Sequence, residues 1–306
     1  FGANVIWKST TSGQSWTQIS GDLSRPAWQA PQNVGSYLSS PAAKSTRRGV
    51  VYAMAPSPID VNVLWAGTDD GLIHQTRDGG KTWTDVTPAQ LTPWAKVSIM
   101  DASHTDANTA YAAVNTFRLD DLRPHIYRTR DGGAHWDLVT RGLENAGPVN
   151  AVREEPVRRG LLYAATETGV WVSLDDGDDW LPLNNNLPHT SARDLVIKDA
   201  DLIVATHGRS LWIADDISAL EQLNEKVLGE SFYFFDVQPA VKWVTRLGNV
   251  SATTAFAFTL DTVAAIPVVA LASDTGGKAL FDNNDLVAGV RQAQQDLQSY
   301  YVLGYY

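Results

Sequence analysis

Short apolar runs separated by polar turns recur along the first two thirds of the chain. Runs at 63–67, 110–114 and 161–165 are about five residues long and consist of Ala, Val, Leu, Gly and aromatic residues. Short apolar runs bounded by turn residues are typical of β-strands and too brief for ordinary helices. The pattern therefore predicts a mainly β chain built from many short antiparallel strands.

An eight-residue pattern, Ser/Thr-x-Asp-x-Gly-x-x-Trp, occurs four times between these runs, with Thr11 replacing the Asp in the first copy. We call each copy an octet. Because a short β-run precedes and follows each octet, we expect a hairpin turn in which the Asp accepts backbone N–H bonds and the Gly adopts positive φ. The closing Trp is expected to pack beneath the turn. The residues given this structural role are Ser9, Gly13, Trp16, Thr76, Asp78, Gly80, Trp83, Thr129, Asp131, Gly133, Trp136, Ser173, Asp175, Gly177 and Trp180.

Alignment on the octets indicates a repeat of ~40–55 residues with four short strands, the pattern of β-propeller blades. We count three full blades, an opening half-blade and a closing partial blade with Asp215-Asp216 in place of the octet. The sequence thus predicts a partial or incomplete β-propeller of four to five recognisable blades over 1–223. This count is low for a ring, so either upstream blades are missing or the two partial blades complete one another. Residues 224–250 are predicted to form a linker or closing strand, and 251–306 a short α/β segment.

Composition narrows the classes of partner. The chain has 24 Lys and Arg against 34 Asp and Glu, a net charge of −10, which argues against nucleic acid and anionic membrane surfaces. The absence of cysteine excludes disulfides, a zinc–thiolate site and a cysteine nucleophile. No apolar run reaches the ~18–20 residues of a membrane helix, so no membrane insertion is expected. We predict neither a metal nor a cofactor.

The octets resemble the Asp-box, or bacterial neuraminidase repeat, of sialidases, xyloglucanases, photosystem II assembly factors and the sortilin family. The strings LWAGTDDGL (64–72), YRTRDGG (127–133) and VATHGRSLWI (204–213) are similar to bacterial sortilin-like proteins often described as "glycosyl hydrolase, BNR repeat". This resemblance covers roughly 5–223. It implies a secreted or periplasmic protein, whose signal peptide is absent from this sequence, and octets that lie away from any active site.

The last stretch resembles the C-terminal part of a bacterial von Willebrand factor type A-related domain, through LASDTGGKALF (271–281) and SYYVLGYY (299–306). Apolar residues at helical spacing predict an amphipathic helix over 285–298. The metal-ion-dependent adhesion motif of that family, Asp-x-Ser-x-Ser, has no counterpart in this chain. The resemblance therefore implies no metal-dependent adhesion.

Candidate ligand contacts lie in the turns between second and third strands, which the blade pattern places opposite the octets. The insert at 115–124 is long for such a turn and either contributes to a site or forms a solvated flap with internal Asp–Arg pairs. His207 and Arg209 either face a ligand or serve the turn and a neighbouring blade. The candidate binding residues are Asp69, Asp70, Arg118, Asp120, Arg123, Glu167, His207 and Arg209.

Three functional hypotheses follow. The first is a non-catalytic extracytoplasmic binding or scaffold module that recognises a protein, a peptide or a glycan on the face opposite the octets. The second is a sialidase- or xyloglucanase-like glycoside hydrolase, which needs two carboxylates flanking the scissile bond; no spacing identifies such a pair, so no catalytic residue is assigned. The third is self-assembly of a homo-oligomer through open blade edges.

Overall fold

The computed structural model describes residues 3–26, 32–40, 49–236 and 257–258 of the 306-residue chain. These residues belong to one compact unit, 1–261. The segment resembling a von Willebrand type A-related domain, including the helix predicted over 285–298, lies outside the described residues apart from 257–258. None of the helices in the described part is long and apolar enough to cross a membrane.

Five successive antiparallel sheets form an arc of β-propeller blades, here numbered I to V, in which each strand pairs with the next along the chain. Blades II, III and IV have four strands, whereas blade I has two and blade V has three in the described residues. The strands are β1 (Trp7–Lys8) and β2 (Thr17–Gln18) in blade I; β3 (Val51–Pro56), β4 (Leu64–Thr68), β5 (Ile73–Thr76) and β6 (Thr84–Asp85) in blade II; β7 (Lys96–Ala102), β8 (Ala110–Asn115), β9 (His125–Thr129) and β10 (Asp137–Leu138) in blade III; β11 (Val149–Glu154), β12 (Leu162–Thr166), β13 (Val170–Ser173) and β14 (Leu181–Pro182) in blade IV; and β15 (Ala192–Lys198), β16 (Asp201–Thr206) and β17 (Leu211–Ala214) in blade V.

Short elements connect and follow the blades. In the part of the chain that the structure describes, 3-10 helices lie at Gln32–Ser39 and Phe117–Leu119. After blade V come helix α1 (Ser218–Gln222), helix α2 (Glu225–Leu228) and strand β18 (Tyr233–Phe234), which pairs with β19 (Ala257–Phe258). Val227 and Phe235 are buried in the same cluster as Leu195 and Leu202 of blade V. The chain immediately after residue 223 therefore packs against the last blade.

The core lies between adjacent blades. The first strands of consecutive blades pack on one another, β3 on β7, β7 on β11 and β11 on β15. Strand β8 is buried along its whole length because blades cover both of its faces, and its Ala110, Ala112 and Ala113 let those neighbours approach closely. Larger side chains fill the remaining space, with Trp65, Tyr111 and Tyr163 fully buried.

In blades II, III and IV the octet forms the turn between the third and fourth strands, and in blade I it joins the two described strands. In blade II, the carboxylate of Asp78 accepts the backbone N–H of Thr82 at 2.9 Å and the hydroxyl of Thr76 at 2.9 Å. The backbone hydrogen bond from Thr82 is the main reason that the pKa of Asp78 falls to about 2. Gly80 has φ +97° and donates its N–H to the Thr76 hydroxyl. Blades III and IV repeat these bonds with Asp131 and Asp175 as acceptors.

The octet Trp joins its own blade to the preceding one. The indole N–H of Trp83 donates to the carbonyl of Ile19 in blade I at 2.8 Å. Trp136 bonds in the same way to Val86 of blade II at 2.7 Å, and Trp180 to Val139 of blade III at 3.0 Å. Each acceptor stands three residues after the Trp of its own octet. The octet therefore carries the donor for the preceding blade, and the acceptor for the following blade lies just after the strand that follows the octet.

The octet glycine lies against the same acceptor residue. A Cβ on Gly133 would lie 2.6 Å from Cβ of Val86, and one on Gly80 would lie 2.8 Å from Cβ of Ile19. Contacts this short do not occur between real side chains, so the glycine is required for close blade packing as well as for its positive φ. We call the indole hydrogen bond and this glycine approach together the octet contact.

Blade I lacks the octet contact on its outer side. Trp16 is 49% exposed, and its indole N–H donates to Gly13 of its own turn at 3.0 Å. A Cβ on Gly13 would meet only the Trp16 ring, at 3.8 Å. The same eight-residue turn thus forms with its indole bond inside the turn rather than to another described blade, which separates its local geometry from its role in packing.

We expect Trp180→Phe to destabilise the protein by about 1–3 kcal/mol, because it leaves the carbonyl of Val139 without its indole donor in a buried position. The matched change Trp16→Phe should cost less, because that ring is 49% exposed and its indole N–H donates within its own turn. Urea unfolding followed by circular dichroism gives both values. Equal losses in the two variants would contradict the proposed packing role.

A second pair of variants isolates the glycine approach. Gly133→Ala and Gly13→Ala both place a side chain at φ near +85°, which costs about 1–2 kcal/mol. Gly133→Ala must also displace Val86, so we expect it to lose at least about 1 kcal/mol more than Gly13→Ala. Thermal and urea midpoints of the two variants, measured side by side, test this difference in stability. Equal losses would show that the contact between Gly133 and Val86 yields without a measurable cost.

Candidate binding face

The register of the strands defines two opposite ends of the blades. The start of each first strand pairs with the end of the second strand, as in Val51 with Thr68 and Lys96 with Asn115. The octets lie at the other end, where the third strand finishes. We call the end at which β3, β7, β11 and β15 begin the bulge face, and the other end the octet face.

A β-bulge interrupts the same place in all four first strands. The pairing register shifts between Val51 and Ala53, and at the equivalent positions of β7, β11 and β15. The unpaired residues are Tyr52, Ser98, Asn150 and Arg193. Bulges redirect a side chain and are frequent next to functional sites. Four consecutive blades thus place one such residue each at this end, of which Tyr52 and Arg193 are exposed and Ser98 and Asn150 are buried.

Two of these side chains belong to a polar network that crosses blades III, IV and V. Asn150 accepts a hydrogen bond from the amide of Asn115 at 3.2 Å. It donates to the carboxylate of Glu167 at 3.1 Å and to the carbonyl of Ala192 at 2.9 Å. Arg193 lies 3.0 Å from the same Glu167 carboxylate, and nearly half of its side chain is exposed. The network fixes Arg193 at one end while leaving it accessible.

Aromatic rings hold two cations on the same face. The ammonium of Lys96 lies 3.7 Å from the centroid of the Tyr52 ring. The guanidinium of Arg118 lies 5.7 Å from the centroid of Trp94, within cation–π range. Arg118 also donates to the backbone carbonyl of Asp69, so the insert of blade III contacts blade II. Tyr52 itself remains 54% exposed.

Asp69 and Asp70 have partners that organise the turn. Asp70 is 8% exposed; its carboxylate accepts the Thr68 hydroxyl at 2.6 Å and the backbone N–H groups of Gly49 and Arg25. Asp69 accepts the N–H of Val50 at 2.8 Å and lies 3.8 Å from the Arg118 guanidinium. Both carboxylates therefore stabilise the local backbone, and Asp69 is the more accessible of the two.

The two arginines of the blade III insert have different partners. The 3-10 helix of the insert ends at Asp120, which has φ +57°. Arg123 forms a two-pronged ion pair with Asp121 at 2.8 Å, and His125 contacts the same carboxylate at 3.1 Å. The Arg123 hydrogen bonds hold the pKa of Asp121 well below its usual range. Arg123 is thus paired within the insert, whereas Arg118 contacts the neighbouring blade.

His207 and Arg209 lie in the turn that joins β16 to β17 at the end of the arc. Both residues are exposed. The N–H of His207 donates to the carbonyl of Ser191, and the N–H of Arg209 donates to the hydroxyl of Thr206 at 3.1 Å. The structure therefore brings Glu167 into the network with the bulge residues and joins Asp69 to Arg118. Asp70 lies in the same turn as Asp69, and Asp120 and Arg123 lie in the same insert as Arg118, whereas His207 and Arg209 lie in a separate turn.

The bulge residues themselves were missed by the sequence analysis. Each lies inside an apolar run and has no motif of its own, since Tyr, Ser, Asn and Arg share no chemistry. The sequence offered only their position as a signal for these residues, because aligning the blades brings four unlike residues to one place in the first strand. Only the pairing register identifies that place as a bulge.

Buried carboxylates lie near the other end of the first strands, at the octet face. Glu154 is fully buried and accepts the N–H of His104 at 2.8 Å, while its own N–H donates to Asp101. Burial raises the pKa of Asp101 to about 6, against the effect of the Arg153 guanidinium at 3.6 Å. The hydroxyl of Tyr111 bonds to Asp176. These groups join blades III and IV rather than lining an open site.

Comparisons with known proteins return likenesses of fold. No family model matches the chain, and no curated protein does. Among solved structures, an ancestral GH74 enzyme is similar at 19% identity and a TM-score of 0.47, covering 67% of this chain and 26% of the enzyme. YCF48 bound to D1 peptide is similar at 18% identity and a TM-score of 0.40, covering 50% of this chain and 47% of YCF48. The GH74 xyloglucanase from Xanthomonas campestris is similar at 14% identity and a TM-score of 0.43, covering 53% of this chain and 29% of the xyloglucanase.

The raised pKa of Asp101 predicts a pH dependence of stability. Between about pH 4 and pH 6 the folded protein binds more protons at this carboxyl than the unfolded chain does, so its contribution to stability is lost as pH rises through that window. Asp101→Asn should flatten the decline in urea midpoint between pH 4.5 and 7. The exposed change Asp199→Asn should leave the decline as in the wild type. If the urea midpoint of Asp101→Asn changed with pH as steeply as that of the wild type, the raised pKa of Asp101 would be contradicted.

Proposed function

We propose that this chain is a non-catalytic, extracytoplasmic β-propeller module that binds a polypeptide segment on its bulge face. The observation that carries the proposal is the bulge repeated at one position of four successive first strands. The repeat brings an aromatic, a hydroxyl, an amide and a guanidinium side chain to one face. Such a mixed set suits a peptide or protein loop, whose backbone and side chains offer donors, acceptors and apolar groups together.

The exposure of two of the four side chains supports binding, whereas Ser98 and Asn150 are buried and belong to the packing. Tyr52 is exposed over half of its surface, although it belongs to the first strand of a blade. Arg193 is held by Glu167 at 3.0 Å and remains accessible, so little rotamer freedom is left to lose on binding. Exposed Tyr and Arg side chains are the types most enriched among residues that dominate binding energy. Tyr52 and Arg193 are therefore the proposed principal contacts.

The carboxylates of this face favour a binding role over hydrolysis. A glycoside hydrolase needs one carboxyl as acid and another as base or nucleophile, placed on either side of the bond. Asp70 is occupied by backbone N–H groups and Glu167 by Asn150 and Arg193. Asp121 is neutralised by Arg123. A glycan ligand remains an alternative for the same face, because Tyr52 offers a ring on which a sugar can stack.

Self-assembly is a second candidate, favoured by blade V. Its third strand, β17, ends the sheet in the described residues, and Leu211 and Ile213 are 66% and 43% exposed. Exposed apolar side chains on an edge strand promote pairing with another chain. Analytical ultracentrifugation separates the two candidates, since assembly through β17 predicts a mass above 33.3 kDa that Leu211→Lys reduces.

Selection of peptides from a random library tests the polypeptide-binding proposal. We expect the selected peptides to bind the wild type with micromolar affinity and to lose at least 10-fold in Tyr52→Ala and in Arg193→Ala. Both side chains are substantially exposed, so the thermal midpoint should change little. His135→Ala on the octet face is the matched control and should bind like the wild type.

Two outcomes would overturn the proposal. One is peptide binding that is unaffected by either bulge variant. The other is release of reducing sugar from xyloglucan or a sialoglycan that Glu167→Gln abolishes, which would make the chain a hydrolase. Binding of intact oligosaccharides that requires Tyr52 would instead replace the polypeptide with a glycan on the same face.

A further inference from the structure

A groove of about 790 Å³ lies between blades I and II at the octet face. Blade I contributes Ile19 and Leu23 to its walls, and blade II contributes His74 and the ring of Trp83. Asp22, Lys81 and Asp85 line it as well. The octet contact between Trp83 and Ile19 joins the two blades at this place, so the groove has a fixed wall on each side.

The internal repeat shows what normally occupies the equivalent position. His74 stands two residues before Thr76, the first residue of its octet. The matching residues are Tyr127 in blade III and Trp171 in blade IV. Tyr127 is 5% exposed and packs with Trp65 of blade II, and Trp171 packs with Val139 of blade III. In both later blades, therefore, an aromatic ring at this position packs against the preceding blade.

Blade II places a smaller and polar ring at the same position. His74 lines the groove together with Ile19, Leu23 and Trp83, and these three residues belong to the apolar cluster between blades I and II. Its Nδ1 is buried without a hydrogen-bond partner, so the imidazole is not fixed by a structural bond at that atom. Burial is the main cause that lowers the pKa of His74, which keeps the ring neutral at pH 7. The space that Tyr or Trp fills elsewhere is thus open beside an uncharged ring.

We propose that this groove binds an aromatic side chain, tyrosine or tryptophan, presented by a partner polypeptide. In the groove the ring contacts Trp83 and the aliphatic side chains of Ile19 and Leu23, and the octet contact between Trp83 and Ile19 stays in place. Two carboxylates and one ammonium line the groove, and the whole chain carries a net charge of −10. Basic residues on either side of the aromatic residue in the partner are therefore favoured.

The side-chain analogues 4-methylphenol and 3-methylindole are the probes for the test. They have about eight and about ten non-hydrogen atoms, respectively, so we expect dissociation constants on the order of 1 mM. Two-dimensional amide spectra of the full chain should show shifts at Gly79, Gly80 and Gly21, whose backbones border the groove. Binding by the tripeptide Lys-Tyr-Lys should be at least threefold tighter than by Glu-Tyr-Glu at low salt.

His74→Tyr is the decisive variant, because it restores the residue type that fills the equivalent position in blade III. We expect it to weaken binding of 4-methylphenol at least 10-fold and to raise or preserve the thermal midpoint. His135→Tyr makes the same change on the exposed octet of blade III and should bind like the wild type. His74→Ala enlarges the groove and should bind 3-methylindole at least as well as the wild type does.

Three results would overturn the proposal. The first is no spectral shift in the wild type at 10 mM of either probe. The second is a pattern of shifts confined to residues away from blades I and II. The third is undiminished binding in a folded His74→Tyr variant. Should His74→Tyr fail to fold, the shift map of the wild type together with His74→Ala still decides the question. None of these results depends on the bulge face.

Discussion

The fold depends on one contact that is repeated at each blade interface with an octet. The indole N–H of the octet Trp donates to a backbone carbonyl of the preceding blade, and the octet glycine lies against the residue that bears this carbonyl. The acceptor stands three residues beyond the Trp of its own octet, so each blade prepares the surface on which the next one packs. Trp16 differs from the other three, because its indole N–H donates to Gly13 of its own turn rather than to a carbonyl of another described blade.

Rigid packing at the octet face has consequences for the opposite end. Since the first strands pack on one another along the arc, a bulge at one position in each strand presents a side chain at a defined place. Asn150 links three blades through hydrogen bonds, which fixes Glu167 and in turn Arg193. The octet contacts therefore support the bulge face from a distance, while the exposed Tyr52 and Arg193 remain available for a partner.

Deviations from the repeat indicate where function is to be sought. The insert of blade III carries Arg118 to Asp69 and Trp94 of the preceding blade. His74 interrupts a series that continues with Tyr127 and Trp171, and a groove opens at that interface. Both departures were visible in the sequence as differences between aligned blades. The insert was identified there because its length is unusual, whereas His74 was missed because a single histidine within a strand has no spacing signal.

The sequence alone determined the mainly β class, the blade count and the face on which the octets lie, because hydrophobic runs and turn residues act locally and repeat. It also indicated the insert at 115–124 as a notable loop. Only the tertiary structure decided which residues become partners across blades. A bulge exists only relative to the strand that it pairs with, so Tyr52, Ser98, Asn150 and Arg193 could not be recognised as a set. The burial of Asp70 and the raised pKa of Asp101 likewise arise from groups distant in sequence, whose approach depends on how the blades pack.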